Sequence, residues 1–334
     1  MIDVARLAGV AESTVSRAFA TPDVISDDVV KKVMQAAKEL NYTVNATARS
    51  LARNRADAVL VLIPDIGSAY FSAVLKGIEQ TARTLSMSVL VGEIGSNPDN
   101  ILRYVEQVNS QRADGVILLT GRVPVKMEML GATGKKGPNF PFIVIGACEP
   151  ESPLVTIGVD NEQAAYKATR YLATLGHTSI AHISGPESSA EARARFDGYS
   201  RALKDAGIEL RQDYIRNGDM VAETGRTFGV DLGLLKDRPT AIFCGNDEMA
   251  IGVIAGLRSC GLNVPKDVSV VGFDDSYLAE MLNPPLTTIR QPSYELGHQA
   301  MLAFNHQLSS KEEHFESVIL ETQLIIRESC IPVS

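Results

Sequence analysis

The 334-residue sequence predicts an all-α head with a helix-turn-helix, followed by an α/β body of two doubly wound parallel-sheet lobes. Three observations support this prediction. Residues 2–19 place apolar side chains at helical spacing on both sides of a short break. An arginine-rich segment with few apolar residues follows at 45–55. From residue 58 onward, apolar runs of strand length alternate with amphipathic helices, which is the pattern of a parallel sheet between helices.

The first element is a pair of short helices joined by a turn. Two apolar sets flank Gly9, which can adopt the positive φ of a turn. They are Val4, Ala5 and Leu7 before the turn, and Val15, Ala18 and Phe19 after it. In a helix-turn-helix, the second helix enters the major groove of DNA, where Thr14, Ser16 and Arg17 would offer hydrogen-bond donors. Spacing alone fits an ordinary two-helix corner equally well.

A third helix is predicted over 23–40, with an apolar stripe that would complete a small core. Ser26 is a favourable N-cap, and Asp27 and Asp28 lie where the helix dipole stabilises acidic side chains. The segment 45–55 contains good helix formers and three arginines, but it is short and has few apolar residues. We therefore expect a linker that is disordered when free and helical when bound.

The body is predicted to consist of two similar α/β units in tandem. Its strands are expected at 58–64, 88–93, 115–119, 142–146, 155–159, 179–184, 241–244, 269–273 and 317–326. Its helices are expected at 69–85, 99–110, 161–175, 188–206, 247–260 and 293–308. In open parallel sheets, ligands bind beyond the carboxyl ends of the strands, so we expect a ligand cleft where loops of both lobes face each other.

The predicted cleft loops carry carboxylates, an amide, guanidinium groups and aromatic rings. The polar side chains are those of Asp160, Arg193, Arg195, Asn246, Asp247, Asp274 and Asp275, and the aromatic ones are those of Tyr70, Phe71 and Phe273. Such groups can hold hydroxyls while a ring stacks on a sugar or base face. They suit a polyhydroxylated ligand better than a phosphate or a cofactor. For each residue, the alternative is a loop cap or a salt bridge between the lobes.

Charge and composition exclude several classes. The net charge of −8 argues against a protein that binds polyanions over its whole surface. Residues 1–55 carry eight basic and six acidic side chains, so an acidic body would confine DNA contact to the weakly basic head. The four cysteines form no C-x-x-C pair and resemble reduced cytosolic thiols. No apolar run is long enough to span a membrane, so we expect a cytoplasmic protein without a membrane partner.

Catalytic and metal motifs are not found in the sequence. It has no G-x-S-x-G elbow and no G-x-G-x-x-G, and the segment 131–137 lacks the spacing and the Ser/Thr of a P-loop. His177 and His182 are five residues apart, which does not match metal-ligand spacing on a helix, and each is expected to pack locally. We therefore expect neither an enzyme nor a bound metal or cofactor.

Motifs along the whole chain resemble the lactose-repressor and galactose-repressor family of bacterial transcription regulators. In the head they are DVARLAGV, STVSRAF and VIS, and in the body ISGPESSAEARARFDGY, AIFCGNDEMAIGV, VPKDVSVVGFDD and PPLTTIRQP. The segments VLIPDIGSAYFSAVLKGIE and QPSYELG are similar to the cytidine-repressor branch of that family. This resemblance decides between a DNA reader and a simple helical corner.

The resemblance implies how the head would bind DNA. Glu12 and Ser13 match the positions at which family members choose their operators, and Tyr42 matches a further DNA-binding position. The linker would fold into a hinge helix on the operator, pair with its dimer mate and insert a leucine into the minor groove. The linker residues implied to seat or insert this helix are Asn45, Ala48 and Leu51.

The resemblance also implies a periplasmic-binding-protein-like body with an effector site. The matching effector-binding residues are Arg195, Asn246 and Asp274, the aromatic wall of Tyr70 and Phe71, and the acidic Asp160. Gly146 stands where many relatives have an aspartate, so one hydroxyl contact is in question.

The resemblance further implies that the chain would cross between the lobes near 158, 290 and 319. The implied domains are a DNA-binding head at 1–44, a hinge at 45–57 and an effector and dimerisation domain at 58–334, with an N-lobe of about 58–158 and 290–318 and a C-lobe of about 159–289 and 319–334.

Two functions from different classes are compatible with this architecture. The first is a homodimeric transcription repressor that leaves a near-palindromic operator when a sugar-like or nucleoside-like effector binds the cleft. The second is a solute-binding protein of the same two-lobed fold without a DNA function. The solute-binding alternative predicts a secretory signal and no helix-turn-helix, whereas the sequence has the opposite features. The regulator is therefore the preferred hypothesis.

Overall fold

The computed structural model describes residues 1–20, 24–42, 55–95, 100–120, 138–147, 154–309 and 315–333. Asn45, Ala48 and Leu51, the predicted hinge contacts, lie outside these ranges, as does Cys148. The described strands, in chain order, are β1 (Ala58–Ile63), β2 (Ser88–Glu93), β3 (Val116–Leu118), β4 (Phe142–Ile145), β5 (Val155–Val159), β6 (Ile180–Ser184), β7 (Ile215–Asn217), β8 (Ala241–Cys244), β9 (Ser269–Asp274), β10 (Thr287–Arg290), β11 (Val318–Leu320) and β12 (Gln323–Ile325). The described helices are α1 (Ile2–Ala8), α2 (Glu12–Ala20), α3 (Asp27–Glu39), α4 (Ala69–Thr84), α5 (Asn100–Asn109), α6 (Asn161–Thr174), α7 (Ala190–Asp205), α8 (Ala222–Gly233), α9 (Asp247–Ser259), α10 (Tyr277–Met281) and α11 (Ser293–Ser309).

The head consists of α1, α2 and α3 around a small apolar core. Gly9 ends α1 with φ 69°, and the Val10 N–H donates to the Ala5 carbonyl at 3.0 Å, which turns the chain into α2. The core residues are Val4, Ala5, Val15, Ala18, Val33, Ala36 and Ala37. The predicted helix-turn-helix is confirmed. Leu7 is 51% exposed and therefore does not belong to the core stripe on which it was predicted.

The third helix is shorter than predicted, because it begins at Asp27 rather than near residue 23. Ser26 occupies the N-cap position with an extended backbone, but its side chain makes no capping hydrogen bond. Asp27 and Asp28 lie in the first turn, where the helix dipole stabilises their charge. Charge at the helix start therefore takes the place of the predicted side-chain cap.

The described strands of the body form two six-stranded sheets, and the predicted α/β fold class is confirmed. The first sheet has the order β11-β5-β4-β3-β1-β2, and the second has the order β12-β10-β9-β8-β6-β7. Every pair in the first sheet is parallel, whereas in the second sheet β10 and β12 are antiparallel. Helices α4 and α11 pack on the first sheet, and α6 to α9 pack on the second. The carboxyl ends of the parallel strands therefore form the loops that face the ligand cleft.

The chain passes between the two sheets at three described places. It leaves the first sheet after β5, returns from β10 through α11, and passes from β11 to β12. The single strand predicted at 317–326 is therefore wrong. Val318–Leu320 pairs with β5, whereas Gln323–Ile325 pairs with β10, because two residues between them redirect the chain to the other sheet.

Helices α8 and α9 approach each other closely through glycines. Gly225 and Gly229 on α8 lie against the backbone of α9 at Met249 and Val253. On α9, Gly252 and Gly256 lie against the backbone of α8 at Ala222 and Arg226. A Cβ at any of these glycines would come closer than van der Waals contact to backbone atoms. This close contact fixes α9, whose first residues border the ligand cleft.

None of the helices that the structure describes has both the length and the hydrophobicity needed to cross a membrane.

Candidate functional site

A cavity of about 660 Å³ lies between the two lobes at the carboxyl ends of the strands. Residues from both sheets line it. Five of the sequence-predicted effector residues line this cavity: Tyr70, Phe71, Arg195, Asn246 and Asp274. The structure therefore brings together side chains that are up to 204 positions apart in the chain.

Arg195 is the central cation of the cavity and is only 6% exposed. Its Nε donates to Asn161 Oδ1 at 2.9 Å, and one terminal nitrogen donates to the Gly245 carbonyl. The guanidinium lies 3.7 Å from the centre of the Phe273 ring, in cation–π contact. Burial lowers the pKa of Arg195 from its ordinary value, and the nearby Asp274 carboxylate acts in the opposite direction. An arginine held on three sides presents a fixed donor to the cavity.

Phe273 is fully buried beneath this guanidinium. It is therefore unavailable to stack on a ligand, and its predicted place among the cleft aromatics is wrong. Tyr70 and Phe71 are both half-buried and form the aromatic wall, with ring centroids 5.2 Å apart in an edge-to-face arrangement. Burial, and secondly the Asp274 carboxylate, raise the pKa of Tyr70, so its hydroxyl remains a hydrogen-bond donor.

Asp274 faces Arg195 across the second lobe's part of the cavity and is 8% exposed. Its Oδ1 accepts a hydrogen bond from Gln291 Nε2 at 2.7 Å. Burial raises the pKa of Asp274, and the Arg195 guanidinium partly counteracts this rise. The backbone of Asp274 has φ 124°, and that of Asp275 has φ 56°, both of which are rare for residues other than glycine. Such strain persists only where surrounding contacts hold it in place.

Asp247 supplies part of that restraint. Its Oδ1 accepts from the Thr288 hydroxyl at 2.6 Å, and its Oδ2 accepts from the Ser276 N–H at 2.7 Å. A Cβ on Gly272 would collide with the Asp247 carboxylate, so glycine leaves room for this contact. Asp275 does not line the cavity and pairs with Arg290 and Arg327. The adjacent carboxylates Asp274 and Asp275 therefore make different contacts, because successive side chains of a strand point to opposite faces.

Asn246 borders the cavity, but its side chain already makes two hydrogen bonds. Its Oδ1 accepts from the Met249 N–H and caps α9, whereas its Nδ2 donates to the Met220 carbonyl, both at 2.9 Å. Asp160 has a capping role instead of the predicted cleft contact. It is exposed, accepts from the Gln163 N–H at 2.8 Å to cap α6, and does not line the cavity.

Glu191, Met220 and Gln291 are among the cavity residues that the sequence did not single out. Glu191 and Gln291 lie inside motifs that were recognised, namely EARAR and RQP, but no spacing rule marks them as cleft residues. Met220 has φ 70° and follows β7, a three-residue strand that was too short to be predicted. A search of the polar residues within each recognised motif would have included Gln291.

The two histidines considered as metal ligands are buried within the second lobe. His177 contacts Thr240 Oγ1 at 2.9 Å and Ser269 Oγ at 3.1 Å, and His182 stacks between Tyr199 and Phe243. Within the described ranges, no group of three or more His, Cys, Asp or Glu side chains has an arrangement that could hold a metal ion.

We expect His182 to make the protein less stable at low pH. Burial lowers the pKa of His182 from 6.5 to about 4, so below pH 6.5 the unfolded chain binds a proton that the folded protein excludes. Stability from this residue is present above 6.5 and is lost as the pH falls toward 4. The free energy of unfolding should drop by about 2 kcal/mol through His182 between about pH 7.5 and about pH 5. Urea unfolding of the wild type and of His182→Phe over this range measures the difference. Equal pH slopes in the two proteins would contradict the expectation.

The candidate DNA face lies on α2. Glu12, Ser13 and Arg17 are exposed, whereas Thr14 and Ser16 are half-buried. Tyr42 packs near Phe19, with ring centroids 6.2 Å apart, and so joins the end of the head to α2. The three exposed side chains form the part of α2 that is free to reach base edges.

Comparisons with known proteins give a consistent picture. Residues 1–45 match the family described as bacterial regulatory proteins, lacI family, and residues 169–330 match the periplasmic binding protein-like domain. The HTH-type transcriptional repressor CytR of Escherichia coli strain K12 is 36% identical over 330 residues, which cover 98% of this chain and 95% of that protein. The lac repressor dimer bound to operator and the anti-inducer ONPF has a TM-score of 0.85 and 28% identity, with 98% of each chain covered. The complex of the transcriptional regulator CelR with cellobiose has a TM-score of 0.74 and 28% identity, again with 98% of each chain covered.

Proposed function

Because this chain belongs to the lacI family of bacterial regulatory proteins and is a DNA-binding transcription regulator, we propose that it represses from a near-palindromic operator and is released by a sugar-like or nucleoside-like effector. The observation that carries this proposal is that one chain has both a helix placed to read DNA and a cavity between two lobes, in which polar side chains lie beside aromatic rings. We assign the head to 1–44, the hinge to 45–57 and the effector domain to 58–334. The protein acts in the cytoplasm as a regulator without catalytic activity.

The proposed DNA contacts are on α2 and in the hinge. Glu12 and Ser13 read bases, Thr14, Ser16 and Arg17 add contacts to bases or phosphates, and Tyr42 supports the interface. Leu51 of the hinge enters the minor groove, where it unstacks bases and kinks the DNA. The added contacts along the kinked DNA offset the free energy that this unstacking costs. Two heads in a homodimer read two half-sites, which is why the operator is nearly palindromic.

The effector assignment rests on the chemistry of the cavity. Asp274 and the fixed Arg195 offer an acceptor and a donor for hydroxyl groups, while Tyr70 and Phe71 offer a surface for a sugar or base. CelR, of similar structure, was solved with cellobiose, which supports a polyhydroxylated ligand. Isothermal titration of the purified protein against sugars and nucleosides is the most informative screen. If purines were the only compounds that bound, and if they tightened DNA binding, the assignment of the effector as an inducer would be contradicted.

Operator binding is tested by a mobility-shift assay with the DNA upstream of the protein's own gene. We expect a specific complex that survives moderate salt and excess unrelated DNA, and that weakens as salt rises because counterions are released. An unrelated fragment of equal length is the control. A complex that unrelated DNA competes away equally well would contradict the regulator function.

We expect Glu12→Gln to change operator preference rather than abolish binding. A glutamate accepts a hydrogen bond from the cytosine amino group, whereas a glutamine pairs with adenine. Preference at one position of each half-site should shift from cytosine toward adenine by about tenfold, as measured by selection from a randomised operator library. Glu39→Gln, which makes the same charge change at an exposed position of α3, is the control. An unaltered preference would contradict the assignment of Glu12.

A further inference from the structure

The loop after β4 contains a position that cannot carry a side chain without strain. Gly146 has φ 144°, which residues with a Cβ rarely adopt. Its carbonyl also packs against Gly158, where a Cβ would collide with it. The first lobe therefore presents backbone rather than a carboxylate at this edge of the cavity. The next residue, Ala147, directs its N–H toward the second lobe.

Glu191 supplies a carboxylate to this edge from the opposite lobe. It lies in the first turn of α7, where the helix dipole stabilises its charge, and it lines the cavity. Its Oε1 accepts a hydrogen bond from the Ala147 N–H at 3.1 Å, across the cleft. Its Oε2 accepts from the Ser189 hydroxyl at 2.8 Å, which holds the side chain in place. Ser189 itself caps α7 by accepting from the Ala192 N–H.

The electrostatic surroundings connect Glu191 to the centre of the site. Its charge favours the protonated guanidinium of Arg195 and raises the pKa of Tyr70, although burial and Asp274 have larger effects on that hydroxyl. The Glu191 carboxylate therefore lies within electrostatic reach of residues from both lobes. Each of its oxygens accepts one hydrogen bond from the residues that the structure describes, and a carboxylate oxygen has two lone pairs.

We propose that Glu191 is a positioning and binding residue of the effector cavity, which joins the two lobes through the Ala147 N–H and offers its remaining acceptor sites to an effector hydroxyl or amine. The proposal rests on the effector role proposed for the cavity. Glu191 replaces, from the second lobe, the side chain that Gly146 cannot provide. A hydrogen-bond donor on the effector would occupy the remaining acceptor sites of Glu191. A phosphate or carboxylate at this edge would be repelled by the negative charge of Glu191.

Two variants separate the hydrogen bond from the charge. Glu191→Ala removes the acceptor, whereas Glu191→Gln keeps a side-chain oxygen for Ala147 and removes only the charge. Glu209→Gln, at an exposed position of the same lobe, is the control for loss of charge. Circular dichroism and thermal melting of every variant establish that it is folded.

The first measurement is amide hydrogen exchange at Ala147 in the full-length protein without effector. We expect exchange in Glu191→Ala to be about tenfold faster than in wild type, because a hydrogen bond to a charged acceptor is lost. Glu191→Gln and Glu209→Gln should stay within about twofold of wild type, since a neutral acceptor preserves most of the protection. Unchanged exchange in Glu191→Ala would overturn the proposal.

The second measurement is operator affinity without effector, which reports the balance between lobe arrangements. We expect Glu191→Ala to change it severalfold and Glu191→Gln to restore it toward the wild-type value. A merely structural role would not produce this rescue by the conservative variant, and equal affinities of all three proteins would overturn the coupling. If wild-type protein bound no operator specifically, the proposed function would fail, whereas the exchange result would still decide whether Glu191 joins the lobes.

Discussion

Replacing Arg195 with methionine should abolish effector binding and lower the free energy of unfolding by about 3 kcal/mol. The methionine fills much of the space but leaves Asn161 Oδ1 and the Gly245 carbonyl without their donor. Buried acceptors that lose a charged donor retain the cost of their desolvation. Urea unfolding measures the stability, and titration with the effector found by the screen measures binding.

The matched control is Arg193→Met, two residues earlier on the same helix. Arg193 is exposed and donates to the Glu187 carbonyl at 2.7 Å, away from the cavity centre. We expect the free energy of unfolding of Arg193→Met to differ from that of wild type by less than about 1 kcal/mol, and we expect the variant to bind the effector. Arg195→Met should still bind the operator but should not release it when effector is added. If Arg195→Met left the operator at the effector concentration that releases the wild-type protein, the proposed role of Arg195 would be contradicted.

A Gly252→Ala substitution should destabilise the second lobe by about 2–3 kcal/mol, although alanine is the better helix former. The added methyl would press on the Ala222 carbonyl in the backbone of α8, which cannot rotate away as a side chain could. The two helices must then separate, and every glycine contact along them weakens. Thermal and urea unfolding of the full-length protein measure the loss.

Gly233→Ala, at the end of α8, is the control for this experiment. Its nearest neighbours are the side-chain ends of Leu262 and Leu257, at 3.1 and 3.3 Å, and these can move. We expect stability within about 1 kcal/mol of wild type, because the gain in helix propensity offsets the local adjustment. Equal destabilisation by the two substitutions would show that backbone contact between α8 and α9 is not the cause.

These glycines also explain why α8 was missing from the sequence prediction. Its sequence AETGRTFGVDLG has three glycines, each of which disfavours a helix in isolation. Packing overrides this preference, because only glycine lets the two backbones approach so closely. The buried strands Val155–Val159 and Ala241–Cys244 were predicted with their observed limits, since apolar runs between breakers mark buried parallel strands. The limits of Ser88–Glu93, a mostly exposed edge strand, were also predicted as observed.

The site was predictable where a cleft residue belongs to a motif recognised in the sequence. Arg195 and Asp274 were predicted in the cleft, and the structure places both at the cavity. Asp160 was also predicted there, but local capping of α6 accounts for its carboxylate. The contact of Glu191 with Ala147 depends on how the two lobes face each other, and no periodicity within either lobe contains that information.

The three passages of the chain between the two sheets limit how the lobes can move. A single linker would permit bending and twisting in every direction. Three connections lie side by side, after β5, after β10 and between β11 and β12. We expect them to resist twist and shear and to leave rotation about one axis as the easiest motion. Gln291, which follows β10 at one connection, holds Asp274 in the cavity through its side chain. An effector at Asp274, as we propose, would act next to this axis, and we expect its presence to change a single mechanical degree of freedom.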